Sequence, residues 1–136
     1  MPKRGGGMLA IDTNVVVRYL TGDHPVQSRK ARALVDGGEV FVSRTVMLEC
    51  EWVLRSVYGY PAVEVCRALR GFAGLPRVAA EHPALLARAL DLAEAGMDFA
   101  DALHLLAASE CEGMATFDRS FIKAARKVGL AGVREA

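Results

Sequence analysis

Five acidic residues carry the chemistry this sequence offers. Asp12 follows the short apolar run Met8–Ile11, and Asp118 follows Met114–Phe117. Each stands where a strand ends and a helix begins. Asp98 and Asp101 fall in the first turn of another expected helix. Glu49 lies in a helix whose apolar stripe reads Val46, Cys50, Val53 and Val57, and its spacing puts it on that stripe. A carboxylate facing a core is costly unless it is paired or holds a cation. Glu51, by contrast, has Arg55 four residues on and reads as half of a surface ion pair. Each acid also has a plain structural reading. Asp12 and Asp118 suit N-caps or Asx turns. Asp98 and Asp101 suit a capping box. Glu49 suits a snorkelling side chain or a partner for Arg18.

Taken together, the acids suit a hard divalent cation. Mg²⁺ and Mn²⁺ take oxygen ligands. Three or four carboxylates in one place repel one another without a cation. With one, they activate water and stabilise charge building on a phosphoryl group, and two metals about 4 Å apart are a known variant. Asp12, Glu49, Asp101 and Asp118 are the candidate catalytic and metal-ligating residues, with Asp98 accessory. His24, His82 and His104 are scattered without zinc-like spacing. His104, three residues after Asp101, is the only one placed to approach the acids. The sequence contains no Ser/His/Asp triad motif, and Gly5-Gly6-Gly7 lacks the strand–loop–helix context of a phosphate loop.

The elements that must position these acids alternate. Strands are expected at Met8–Ile11, Val40–Val42, Leu75–Ala79, Met114–Phe117 and from Val133. Helices are expected over Asn14–Leu20, Pro25–Val35, Ser43 to about Tyr58, Pro61 to about Phe72, Pro83–Ala95, Asp98 to about Glu112 and Ser120–Val128. Gly22, Gly37-Gly38, Gly59, Gly96, Gly113 and Gly129 supply the stops. Alternation of this kind gives parallel strands joined by helical crossovers, with helices on both faces. Ligands then bind beyond the carboxyl ends of the strands, where Asp12 and Asp118 stand.

The chain has 136 residues, 52% of them hydrophobic and 24% charged. One domain over 8–136 is expected, after a flexible leader at 1–7. The apolar content excludes a disordered chain. No apolar run reaches the ~20 residues of a membrane span, and no secretory signal follows the basic start. Cys50, Cys66 and Cys111 form no C-x-x-C and sit in apolar patterns. They read as buried reduced thiols in a cytoplasmic protein. The net charge of +1 conceals an asymmetry. Residues 1–35 carry six Lys/Arg against two Asp, residues 36–118 six Arg against thirteen Asp/Glu, and residues 119–136 five Lys/Arg against one Glu. The acidic middle between basic ends suits a metal site flanked by cations that hold a polyanion.

Four motifs, in order, carry a family resemblance: I-D-T-N at 11–14, VMLECEWVL at 46–54, DFADALHLLAA at 98–108 and TFD at 116–118. Together they resemble a PIN-domain ribonuclease, most closely a VapC-like toxin of a type II toxin–antitoxin pair, over residues 8–136. The resemblance implies a three-layer α/β/α sandwich with a central, mainly parallel sheet. It implies Mg²⁺ or Mn²⁺ held by Asp12, Glu49, Asp101 and Asp118. Thr13 or Asn14 would orient the first acid or the metal's water, and Thr116 would occupy a polar supporting position. It further implies homodimerisation and inhibition by a cognate antitoxin protein.

The activity so implied is hydrolysis of RNA phosphodiester bonds, with Arg18, Arg119, Lys123, Arg126 and Lys127 available to neutralise phosphates. Two rivals stand beside it. A phosphohydrolase with a nucleophilic Asp12 would commonly want D-x-D, and Asp12 is followed by Thr13-Asn14. A non-catalytic RNA- or protein-binding domain gains nothing from clustered acids on a polyanion.

Overall fold

The structure, a computed structural model, describes residues 7–130 and 132–136. The leader expected at 1–7 therefore lies, except for Gly7, outside the described residues. The chain divides into two compact units, the first ending at Pro83 and the second running from Ala84 to Ala136.

The first unit holds β1 (Leu9–Ala10), α1 (Thr13–Thr21), α2 (Pro25–Gly37), β2 (Val40–Val42), α3 (Arg44–Trp52), a π-turn (Val53–Val57), α4 (Ala62–Ala73) and β3 (Val78–Ala80). The three strands are parallel in the order β1-β2-β3. Leu9 lies opposite Val40, and Phe41 opposite Ala79. One further bond, from the Ile11 N–H to the Phe41 carbonyl at 3.0 Å, carries the pairing up to the residue before Asp12. The helices begin at side-chain caps. Asp12, His24 and Ser43 each accept from a backbone N–H three residues on. Gly22 ends α1 in the left-handed region, φ +64°, and its N–H reaches the Arg18 carbonyl. Val16 and Val17 of α1, Val40 and Val42 of β2, Met47 and Cys50 of α3, and Leu69 and Phe72 of α4 are buried. Tyr19 meets Phe72 edge to face at 5.3 Å.

The second unit holds α5, which starts at Pro83 and ends at Glu94, then α6 (Phe99–Ala107), β4 (Met114–Thr116), α7 (Arg119–Lys127) and β5 (Val133–Glu135). Strands β4 and β5 are parallel, with Met114 opposite Val133 and Thr116 opposite Glu135. Helix α7 is the crossover between them and packs on both. Phe121 and Ala125 form its buried face.

Several sequence-based expectations shift. Strand β3 begins three residues later than Leu75. Helix α6 stops at Ala107 rather than near Glu112. The N–H groups of Ala108, Ser109 and Cys111 satisfy carbonyls three residues back, so the helix closes through tight turns before any glycine arrives. Cys111 consequently sits exposed in a turn, against the expectation of three buried thiols, while Cys50 and Cys66 are buried and free. Met8–Ile11 and Met114–Phe117 were both expected to be buried strands. Leu9 is instead 54% exposed and Phe117 82% exposed. In β4 the alternation of side chains puts Ala115 on the face opposite Met114 and Thr116, and Phe117 follows in a bend just past the strand's end. Among the described residues, no helix is long and apolar enough to cross a membrane.

Gly113 is required by the β4–β5 pairing. The Gly132 carbonyl accepts the Met114 N–H at 2.8 Å, and a Cβ on Gly113 would stand 2.8 Å from that same oxygen. Backbone on both sides leaves nothing to move aside cheaply. Gly113→Ala should cost about 1–3 kcal/mol, read as a lowered urea midpoint at unchanged m-value. An unchanged midpoint would mean that the strand pair is not tightly closed.

Candidate active site

In the first unit, β1 delivers Asp12 to the start of α1. Asp12 is exposed, and its Oδ1 accepts from the Val15 N–H at 3.2 Å. The capping reading of Asp12 is therefore realised, and it engages one carboxylate oxygen. The next residue makes the link to α3: the Thr13 hydroxyl donates to Glu49 Oε1. Asn14 is exposed on the first turn. Between these groups lies Cys50, whose buried thiol is pushed up to about 12. Burial is the largest cause, followed by the Glu49 charge, with a smaller push from Asp12. Asp12, Thr13 and Glu49 thus share one neighbourhood.

Glu49 reaches that neighbourhood by a different route from the one its spacing implies. It is exposed, and α3 buries Met47, Cys50, Glu51 and, beyond it, Leu54. The acid on the core stripe is Glu51, only 5% exposed. It accepts from Arg55 Nε at 2.8 Å and from the same guanidinium's NH2 at 3.4 Å. The expected surface pair is a part-buried one, and the expected core-facing acid is the accessible one.

Arg18 does not pair with Glu49 either. Its guanidinium forms an ion pair with Asp23 at 3.0 Å, donates to Gln27 Oε1 at 2.9 Å and to the Tyr58 hydroxyl at 3.1 Å. Tyr58 in turn donates to Asp23 at 2.7 Å. The hydrogen bonds from Tyr58 and Thr21, with Arg18 beside them, hold Asp23 down at about 2. The phosphate-binding role expected of Arg18 therefore competes with a built network that ties α1 to the π-turn. Tyr58 enters that network because its N–H bonds the Val53 carbonyl, five residues back, and so closes the π-turn. Nothing in the residue types between Val53 and Tyr58 signals that extra residue.

In the second unit, three acids share another neighbourhood. Asp98 caps α6, accepting from the Asp101 N–H at 3.0 Å. Asp118 caps α7, accepting from the Phe121 N–H at 3.2 Å. Its own N–H donates to Thr116 Oγ1 at 3.0 Å, so Thr116 fixes the turn that carries Asp118. The half-buried Asp101 carboxyl is raised, first by burial and then by the charges of Asp98 and Asp118, against a smaller opposing effect of His104. The capping box expected of Asp98 and Asp101 forms in one direction, from the Asp101 N–H to Asp98.

The donors in both neighbourhoods are carboxylate and hydroxyl oxygens, which suit a hard divalent cation. Among the described residues, no three His, Cys, Asp or Glu side chains already stand as a ready-made cation site. What the second unit shows is one carboxyl, that of Asp101, whose ionisation is disfavoured by burial and by the charges of Asp98 and Asp118, a cost that a bound cation would offset.

On the surface of α7, Arg119, Lys123 and Arg126 line a cleft of about 340 Å³ with Ile122 and Glu135. Arg119 makes a loose pair with Glu135 at 3.8 Å, both largely exposed, which leaves its charge available. Phe117 is an accessible aromatic that the apolar run Met114–Phe117 conceals; its place out of step with Met114 and Thr116 in a period-2 pattern is the signal that reveals it.

The two glutamates of α3 should separate in experiment. Glu51→Ala removes a buried carboxylate that accepts from Arg55 at 2.8 Å; with the arginine side chain 38% exposed, the loss should be about 1–3 kcal/mol rather than the 3–5 of a fully buried pair. Glu49→Ala should leave the melting temperature within about a degree. A larger loss from Glu49→Ala than from Glu51→Ala would contradict the placement of these side chains.

No curated protein and no solved structure matches the chain significantly. A family model, that of the PIN domain, matches residues 9–127. That span takes in all four motifs, both acid neighbourhoods and every strand but β5. Its fold class is the α/β class with parallel strands, the PIN-like α/β/α sandwich. The chain belongs to the PIN domain family.

Proposed function

We propose that this protein is a Mg²⁺- or Mn²⁺-dependent endoribonuclease, the VapC-like toxin of a toxin–antitoxin pair. PIN domains are nucleases as a class, and a hydrolase acting on nucleic acid follows from membership. The observation that carries the finer reading is the placing of the acids. Asp12 and Asp118 each follow a parallel strand and cap the next helix, and each lies close to further acids. A structural cap needs one carboxylate; it does not need neighbours that repel it.

Asp12, Glu49, Asp101 and Asp118 are the proposed ligands, with Asp98 accessory. A divalent cation bound by such carboxylates would supply Lewis acidity toward the phosphate and would make a water acidic enough to attack at neutral pH. The chain's own groups do the rest. The Thr13 hydroxyl holds Glu49 in one orientation, and the Thr116 hydroxyl holds the turn bearing Asp118. A carboxylate takes the proton released as the water oxygen bonds to phosphorus, the bond from phosphorus to the leaving ribose oxygen breaks, and that oxygen takes a proton from solvent to leave as a hydroxyl. Arg119 and Lys123 neutralise flanking phosphates, so affinity should fall steeply with salt.

Homodimerisation and a cognate antitoxin protein complete the reading and rest on the motif resemblance, and a cytoplasmic location is read from the reduced cysteines. A protein partner is supported by Trp52, Val57, Tyr60 and Val63, large apolar side chains exposed along α3, the π-turn and α4.

Incubation of purified protein with a mixed cellular RNA pool tests the proposal, with Mg²⁺, Mn²⁺ or EDTA and with Asp12→Ala and Asp101→Asn alongside. Discrete fragments are expected with metal only, with both variants at least about 100-fold slower. Cleavage undiminished in EDTA or in both variants would overturn the proposed machinery. RNA binding by folded protein with no cleavage in either metal would favour a binding domain.

A further inference from the structure

Phe117 is the most exposed large apolar side chain described, at 82%. It stands between Thr116 and Asp118, so its Cα is about 3.8 Å from that of a proposed ligand. Two residues on, Arg119 opens the α7 cleft that Lys123 and Arg126 also line. The spacing of these cations, at i, i+4 and i+7, puts them along one face of α7. Phe121 and Ala125, also on α7, are buried, so Phe117 is not needed to fill the core beneath that helix. An open aromatic ring beside a phosphate-cleaving centre, with a row of cations leading away, has the two parts of a single-strand site: a stacking platform and a backbone track.

We infer that Phe117 stacks on an unpaired base of the RNA next to the scissile phosphate, while Arg119, Lys123 and Arg126 follow the adjoining backbone. The inference rests on the nuclease reading above and adds to it a substrate requirement. The nucleotide beside the cleaved bond must be unstacked from its neighbours, because a base held in a duplex cannot offer a face to the ring. A phenyl ring stacks on any base, so Phe117 selects for single-strandedness at that position rather than for a particular base. Specificity for sequence must then come from other contacts.

The test uses the full chain and a single-stranded RNA oligonucleotide spanning a site mapped with the wild type. 2-Aminopurine replaces each nucleotide flanking the cleaved bond in turn, and Asp101→Asn protein is used so that the RNA stays intact. One position should show quenched fluorescence on binding. Phe117→Ala in the same background should abolish the quenching and weaken binding on the order of tenfold. Phe117→Trp should retain both, and Phe117→Leu should retain neither. With cleavage-competent protein, Phe117→Ala should raise KM by a similar factor at nearly unchanged kcat. An abasic nucleotide at that position should mimic the loss, with no further effect of Phe117→Ala.

The ways of failing are distinct. Wild type that cleaves, with Phe117→Ala matching it in KM and in quenching, overturns the stacking and leaves the nuclease reading intact. Folded wild type that neither cleaves nor binds RNA overturns the nuclease reading, and the stacking with it. A fall in melting temperature of several degrees, or a changed oligomeric state, in Phe117→Ala would assign the ring to the fold or to a protein interface and overturn the inference.

Discussion

Holding carboxylates close to one another at the ends of strands is the constraint that the rest of this structure serves. Asp98, Asp101 and Asp118 lie close enough for the first and last to raise the second, and Asp12 and Glu49 both act on the thiol of Cys50. A fold selected for stability alone would disperse such charges. Here four of the five are fastened. Asp12, Asp98 and Asp118 are held by backbone N–H groups at helix starts, where the helix dipole favours a negative charge. Glu49 is held by the Thr13 hydroxyl. Capping and the proposed catalytic role are therefore compatible duties for the same side chain. The cap fixes the carboxylate's direction, and the remaining lone pairs stay available to a cation.

The parallel strands make this arrangement economical. Strands β1 and β4, ending at Ala10 and Thr116, each hand the chain across one residue to an aspartate and then to a helix. The helix supplies the donors that orient the aspartate. Pairing sets where each handover falls: the Ile11 N–H bonds the Phe41 carbonyl, and the Ala136 N–H bonds that of Thr116. Gly113 matters for the same reason, since closing β4 against β5 determines where Asp118 emerges. Distant backbone contacts thereby set the position of the chemistry.

Much of this was legible in the residues. Ser43 as a cap, Pro25 opening α2, and glycines ending α1 and α7 follow from local rules that the folded chain obeys. So do the two strand-end aspartates. The α3 stripe was misread because the segment is apolar on more than one face. Val46, Cys50, Val53 and Val57 satisfy helical spacing as well as Met47, Cys50, Glu51 and Leu54 do. Packing decides between them, and the π-turn then shifts the phase, leaving Val57 66% exposed. Spacing alone puts Glu49 on the core stripe, a direction that the folded helix does not give it. Arg18 looked free because its partners, Asp23 and Tyr58, come together only once the π-turn has formed. The exposed Phe117 escaped because a short apolar run was read as buried on both faces.

Direct binding of Mn²⁺ tests the central claim without depending on a substrate. Titration of metal-free protein, followed by the paramagnetic signal of free Mn²⁺ and by the melting temperature, should show saturable binding and a rising melting temperature. Asp101→Asn and Asp118→Asn should each lose most of the affinity while remaining folded. No saturable binding by the wild type, or binding that both variants retain in full, would contradict the claim that these carboxylates are gathered for a cation.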